Sequence, residues 1–231
     1  MSQTVLRPLH SWSYRVLKKI PQDCTFDQGS FRDKIQGWEV YHSIDLSAFT
    51  DRFPITFVSD VLKGVLPGWY TKAWEFVMVG LPFETKTGYI KYSAGTPMGA
   101  YSSWATTTLA HHFVMYQACR DVSIQWKDAP YVMLGDDVMV GNTGLAEAYR
   151  ARIKALGVEV ASEKTFSSRF VGEFAKRIIY KGEEVTPFPV SGLSEVASRC
   201  YLLVNYLIDA ETKGWRCVKG APAAVCDFYE H

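Results

Sequence analysis

Tyr131-Val-Met-Leu-Gly135-Asp136-Asp137-Val-Met-Val140 is the stretch on which the reading of the fold turns. Apolar runs on either side of Gly135-Asp136-Asp137 predict two short buried strands joined by a tight hairpin. Two adjacent carboxylates at a hairpin tip flanked by buried strands are costly unless positive charge sits against them. A pair of magnesium ions would supply that charge. An ordinary solvated turn is the alternative, since Asp and Gly are common turn residues. Gly-Asp-Asp taken alone does not separate the two.

A second carboxylate cluster lies upstream in Ser43-Ile-Asp45-Leu-Ser-Ala-Phe-Thr-Asp51. Val40 to Asp45 reads as a strand that delivers Asp45 at its end, with Asp51 just beyond at a helix start. If that strand lies beside the Asp136 hairpin, carboxylates from two strands meet at one sheet edge. Two metals about 3.5–4 Å apart could then be held there for phosphoryl transfer. Asp51 has a second reading, as a helix-start charge favoured by the helix dipole ahead of Pro54. Between the clusters, Ser93-Ala-Gly95-Thr-Pro97-Met-Gly99-Ala-Tyr-Ser102-Ser103-Trp104 is a Gly/Pro loop before a helix. Its glycines allow movement and close backbone approach to a ligand. The same words describe a plain loop ahead of a buried helix.

The remaining segments set the fold class. Leu9, Trp12, Val16 and Ile20 recur at helical spacing behind Pro8, and Pro21 ends that helix. Helices are predicted from Pro54 to Lys63, closed by Gly64, and from Pro67 to Gly80. Pro82 to Tyr92 reads as a hairpin turning at Lys86-Thr87-Gly88. In the helix after the loop, Ala105, Leu109, Phe113 and Tyr116 share a face. Leu145, Tyr149, Ile153 and Leu156 mark a helix stopped by Gly157, followed by a strand at Val158 to Val160. Phe170 to Val190 reads as a hairpin turning at Lys181-Gly182. Ser194 to Thr212 reads as one helix with Val196, Cys200, Leu203 and Leu207 inward, and the tail from Trp215 carries no pattern. Mixed elements with hairpin-joined strands predict an α+β fold with an antiparallel sheet.

Composition bounds the function. The 231 residues are 48% hydrophobic and 21% charged, which excludes global disorder. A net charge of +1 means that any nucleic-acid site must rest on locally clustered charge. Five irregularly spaced cysteines argue against a disulfide framework or zinc finger and for a reducing compartment. The N-terminus shows no secretory signal. Tyr92 to Cys119 lacks Asp, Glu, Lys and Arg but holds Gly, Pro and two His, so it reads as loop plus buried helix, with no membrane span.

The carboxylate segments and the loop, in this order and wording, resemble the palm of viral RNA-dependent RNA polymerases, closest to the mitovirus and narnavirus branch. Asp45 to Pro54 resembles that family's motif A, Gly95 to His112 motif B, and Gly135-Asp136-Asp137 motif C. Ser162-Glu-Lys164-Thr resembles motif D and Glu173-Phe-Ala-Lys176-Arg177 motif E. Leu6-Arg-Pro-Leu-His10 and Pro21 to Gln28 are also similar to mitovirus sequence. The resemblance implies that Asp45 and Asp136 bind two catalytic Mg²⁺ (or Mn²⁺) ions, with Asp137 supporting. It implies Asp51 near the ribose of the incoming nucleotide, where the 2′-hydroxyl is read. Gly95, Ser102 and Ser103 would lie on the template-nucleotide side. Lys164 would be the general acid to the leaving pyrophosphate, with a solvated loop lysine as its other reading. Lys176 and Arg177 would hold the primer-strand backbone; an exposed cationic strand end is the alternative.

The family's chains are much longer. By resemblance this one begins where the basic motif F ends, so fingers and thumb are expected to be largely missing. The expected organisation is a fingers-side helical segment over 1–38, the palm with motifs A to E over 39–190, and a thumb-start helix and tail over 191–231. RNA template, primer and nucleoside triphosphates are the implied partners, with a second chain supplying fingers and motif F. The implied location is mitochondrial, with the cytoplasm otherwise. The expectation is a truncated or host-integrated polymerase palm whose isolated chain is inactive. Its rivals are a catalytically inactive remnant with weak RNA binding and another palm-type two-metal enzyme, such as a nucleotide cyclase.

Overall fold

The computed structural model describes residues 3–212 together with Trp215, Ala223, Val225 and Asp227. Cys217, Cys226 and most of the tail lie outside the described residues. The chain divides into two units, Met1–Glu184 and Val185–His231. That division falls six residues before the 190/191 boundary read from the sequence. Residues 1–38 belong to the first unit, because Leu6 and Leu9 are part of its main core.

The first unit runs α1 (Gln3–Leu17), α2 (Phe31–Lys34), β1 (Tyr41–Ile44), β2 (Leu46–Ser47), α3 (Phe49–Arg52), α4 (Ile55–Lys63), α5 (Gly68–Glu75), β3 (Phe83–Thr85) and β4 (Gly88–Ile90). It continues with α6 (Ser103–Asp121), β5 (Tyr131–Leu134), β6 (Asp137–Val140), α7 (Thr143–Ala155), β7 (Glu159–Val160), β8 (Phe166–Ser168), β9 (Val171–Phe174), β10 (Arg177–Tyr180) and β11 (Glu183–Glu184). The fold is α+β. Its central sheet has the order β5-β6-β1-β8, and every pair in it is antiparallel. The β5–β6 hairpin closes with Leu134 opposite Asp137, so Gly135-Asp136 is the turn.

Alternation along the strands explains why they read as unbroken apolar runs. Tyr131, Met133, Val138 and Val140 face a large core shared with α1, α4, α6 and α7. Val132 and Met139 face the opposite way, into a smaller core with Cys24, Phe31, Ile35, Tyr41, Phe174 and Ile179. The sheet is therefore covered on both faces, by helices on one and by the β9–β10–β11 sheet and α2 on the other.

Several elements differ from their sequence reading. The helix placed behind Pro8 starts at Gln3, because the apolar stripe extends back to Leu6, which is buried. In α6 the face shared by Ala105, Leu109, Phe113 and Tyr116 is buried at Ala105 and opens further along. Leu109 is half-buried, Phe113 and Tyr116 are exposed, and Thr106, Ala110, Val114 and Ala118 are buried instead. Phe170–Val190 holds two turns: the Lys181-Gly182 turn between β10 and β11, and a tighter one at Ala175-Lys176 between β9 and β10. In the second unit the predicted single helix is two, α8 (Val190–Val196) and α9 (Cys200–Thr212).

The double-faced sheet makes a stability prediction. Met133 and Met139 are both fully buried, on opposite faces. Truncating either to Ala should cost about 2–5 kcal/mol. Urea denaturation of both variants checks this, and a loss under about 1 kcal/mol at Met139 would mean that its face is not a core.

Candidate active site

Three segments build the site. β1 and β6 pair with Ile44 opposite Val138, so one further step brings Asp45 opposite Asp137. Asp45 is pinned through its backbone: its carbonyl accepts from Ala161 N–H at 2.9 Å, and its N–H donates to Thr165 Oγ1 at 3.2 Å. The turn between those two residues carries Lys164, whose Nζ stands 3.5 Å from Asp45 Oδ2. Lys164 is largely exposed and Asp45 half-buried. A cleft of about 220 Å³ opens here, lined by Ser43, Ile44, Asp45, Asp137, Glu163, Lys164, Phe166 and Glu173. Four carboxylates and one ammonium make it acidic. Glu163 and Glu173 lay in the motif D and motif E stretches, but nothing local in the sequence announces that they share a cleft with Asp45.

The electrostatics follow from crowding. The Asp137 carboxyl is pushed up to about 7, by burial first and then by the charges of Asp136, Asp45 and Glu173, against an opposing Ala175 N–H bond at 2.7 Å. Asp136 sits exposed at the turn tip, yet surrounding protein atoms raise its carboxyl too, followed by the charge of Asp45, with Lys164 opposing. The cluster is short of positive charge. That deficit, with hard oxygen donors on two strands, fits magnesium or manganese. Among the described residues no three ligating side chains close into a ready cage. Magnesium is commonly held by one or two carboxylates plus substrate phosphates, so this openness is compatible with a site completed by a nucleotide.

The motif B segment is tied to motif A by backbone. Thr96 N–H donates to the Thr50 carbonyl at 2.9 Å. Gly95 has φ +36°, and a Cβ there would lie 2.3 Å from the Asp51 carbonyl oxygen. The close approach anticipated at Gly95 is thus to the chain itself. Asp51 is exposed on α3 beside this contact.

Ser102 and Ser103, which the resemblance puts on the template-nucleotide side, spend their hydroxyls on bonds within the chain. Both are buried, at 1% and 2% exposure. Ser102 Oγ accepts from Trp74 Nε1–H at 2.9 Å, and its N–H donates to His10 Nδ1. Ser103 Oγ bonds Thr96 Oγ1 at 2.6 Å. The two hydroxyls shape the loop from inside. Arg177 is likewise turned inward: at 8% exposure it pairs with Glu184, which also binds Arg32. A charged side chain on the buried face of β10 needs such a partner, and Glu184 is supplied from β11. Lys176 is exposed in the tight turn, with Ala175 and Lys176 both left-handed.

The fold is the polymerase-palm fold. The RNA-dependent RNA polymerase of a human picorbirnavirus superposes with TM-score 0.57 at 19% identity, covering 77% of this chain and 36% of that one. An apo telomerase from Candida tropicalis superposes at 0.55 with 12% identity, covering 79% and 45%, so the fold alone does not choose among polymerases. The chain belongs to the mitovirus RNA-dependent RNA polymerase family, whose model matches residues 1–220. It is 31% identical over 181 residues to the RNA-directed RNA polymerase of Cryphonectria parasitica mitovirus 1, covering 76% of this chain and 22% of that protein. An uncharacterized mitochondrial protein of Arabidopsis thaliana, AtMg01110, is 30% identical over 202 residues, covering 82% of this chain and 79% of that one. The chain thus spans about a fifth of the viral polymerase it matches and most of the plant protein.

The raised carboxyls predict a pH dependence for protein held in EDTA. With a folded value of about 7 against an ordinary 3.8, Asp137 keeps its proton on folding between those values. Its stabilising contribution is full below about pH 4 and is lost as pH rises through about 7. Burial lowers His111 and His112, which act in the opposite sense on the acid side. The difference between wild type and Asp137→Asn isolates the carboxyl: the variant should gain on wild type from about pH 4 to 7 and level off above that. Parallel urea-denaturation profiles would show that Asp137 does not titrate in this range.

Proposed function

We propose that this chain carries the catalytic palm of a template-directed RNA polymerase and acts in nucleotidyl transfer. A 3′-hydroxyl oxygen attacks the α-phosphorus of a nucleoside triphosphate, and the bond to the bridging oxygen of pyrophosphate breaks. The observation that carries this reading is the meeting of Asp45 and Asp137 across β1 and β6, with the Lys164 ammonium 3.5 Å from Asp45. Asp45 and Asp136 are the residues that would hold two Mg²⁺ or Mn²⁺ ions, with Asp137 in support. When bound, such ions stabilise the charge on the attacking and leaving oxygens. Lys164, exposed at the mouth of the cleft, gives its proton to the leaving pyrophosphate. Asp51 reads the ribose 2′-hydroxyl, Gly95 keeps motifs A and B in register beneath the nucleotide, and Lys176 meets the RNA backbone. The partners are RNA and nucleoside triphosphates, together with a second chain that contributes fingers and motif F. The names of the plant relatives support a mitochondrial setting. No helix among the described residues is long and apolar enough to cross a membrane.

A second reading, a non-catalytic relative with weak RNA binding, is favoured by one observation. Among the described residues, Lys164 is the one cation paired with these carboxylates, so a triphosphate would find little further charge compensation.

Mg²⁺ or Mn²⁺ binds only the folded form in this reading and should raise the thermal midpoint. Asp136→Asn should reduce that rise; equal rises in both proteins would remove the metal centre. For residues 1–231 alone we predict no measurable templated synthesis, because positioning and charge stabilisation, not carboxylates alone, drive phosphoryl transfer. Primer extension with Mn²⁺ and labelled nucleotide, against Asp136→Asn as blank, decides. Templated extension by the wild-type chain alone would show that the described site suffices, and extension only when a fingers-bearing chain is added would support the two-chain arrangement.

A further inference from the structure

The Gly135-Asp136-Asp137 turn is gripped from behind by side chains that carry no role in the reading above. Gly135 is left-handed, at φ +63°, and a Cβ there would meet the Trp104 indole at 2.9 Å. Its carbonyl is met by His111 Nδ1 at 2.8 Å, from the middle of α6. The other ring nitrogen, Nε2, bonds the Tyr149 hydroxyl on α7. His111 and Tyr149 are both fully buried.

These contacts settle the protonation pattern. A carbonyl can only accept, so Nδ1 carries the hydrogen and donates to Gly135. Nε2 is then an acceptor, and the Tyr149 hydroxyl donates to it. Burial pushes the imidazole down to about 3, so the ring stays neutral and keeps this tautomer across neutral pH. Tyr149 is raised well above the ordinary phenol value by burial first, then by the charges of Asp136 and Asp137, so its hydroxyl keeps the hydrogen it donates. A peptide carbonyl held in this way fixes the plane of the Gly135–Asp136 peptide, and with it the direction in which Asp136 leaves the turn.

Resting on the metal-centre reading above, we propose that His111, oriented by Tyr149, is a positioning residue that aims Asp136 at the metal through the Gly135 carbonyl. A half-exposed turn carrying mutually repelling carboxylates would otherwise relax away from Asp45. Such supporting contacts around a metal commonly matter about tenfold or more for affinity.

Two amides of the same polarity test this. In His111→Asn the amide N–H stands near the Nδ1 position and can still donate to Gly135. In His111→Gln it reaches the Nε2 position, meeting Tyr149 and leaving Gly135 unpaired. Mn²⁺ affinity is read by electron paramagnetic resonance, well below the thermal midpoint of each variant, beside its thermal stability. Both variants should be less stable than wild type. His111→Asn should bind Mn²⁺ within about threefold of wild type, and His111→Gln about tenfold more weakly. Should His111→Gln not fold, His111→Leu takes its place with the same expectation. Equal Mn²⁺ affinities in the Asn and Gln (or Leu) variants would overturn the proposal and leave His111 a core residue. If Mn²⁺ binding ignores Asp136→Asn as well, the metal-centre reading itself fails. If binding needs Asp136 but not His111, only the positioning role fails.

Discussion

Like charges held against one another at a sheet edge are the constraint around which this molecule is arranged. Asp45 and Asp137 face each other across an antiparallel pair, Asp136 adjoins them, and Glu173 adds its charge. Left to themselves, the carboxylates would push the strand ends apart or take up protons. The fold counters the first outcome by fixing backbone instead of neutralising charge. Asp45 is held by Ala161 and Thr165, Asp137 by the Ala175 N–H, and the turn carbonyl by His111. Each clamp comes from a different part of the chain, so the edge cannot open without disturbing several elements together.

A second consequence is the buried, hydrogen-bonded block behind the edge. Motif A and motif B share the Thr96–Thr50 backbone bond, and Gly95 exists where any Cβ would strike the Asp51 carbonyl. Further along α6, His112 bonds Tyr131 and Asp23, with Trp126 completing the chain of donors. In sequential order these donors and acceptors are satisfied as Trp126 to Tyr131 to His112 to Asp23. A buried polar chain of this kind rigidifies when every member is paired. It gives the strand carrying Tyr131 a second tether besides the sheet.

The parts legible in the sequence were those set by local pattern. The apolar runs around Gly135-Asp136-Asp137, the strand ending at Asp45, and the hairpin at Lys86-Thr87 follow from period and turn chemistry alone. What stayed hidden depends on partners far along the chain. Nothing near Arg177 says that its charge will meet Glu184, a carboxylate it shares with Arg32, and a Lys-Arg pair at a strand start looks the same whether it meets phosphate or a buried carboxylate. The resemblance puts Ser102 and Ser103 on the template-nucleotide side, but no local pattern shows that Trp74 and His10 from other segments, and Thr96 from within the loop, bond to them. His111 sat inside a quoted motif without a role, since a histidine in an apolar helix declares nothing until its two ring nitrogens have named acceptors and donors. The most buried side of α6 was not legible either, because a helix buried nearly all round has no clear amphipathic stripe.

What local pattern leaves hidden bears on what the site is for. Where the sequence obeys local rules, it builds the frame; where it breaks them, the charges gather. A chain selected only to stay folded would relieve the edge by exchanging Asp137, whose carboxyl is raised to about 7, for a neutral amide that can keep the Ala175 bond. Instead, the strain is retained, and surrounding residues are committed to holding it. Local inconsistency compensated from a distance is the pattern by which functional sites stand out from scaffolds. Arg177 supplies the contrast. It is charged and more deeply buried, yet it lies directly against a carboxylate, Glu184, which it shares with Arg32, whereas the acidic edge has one exposed lysine against four carboxylates. The unmet charge, more than the presence of any one aspartate, is what points this face of the sheet towards a cationic ligand.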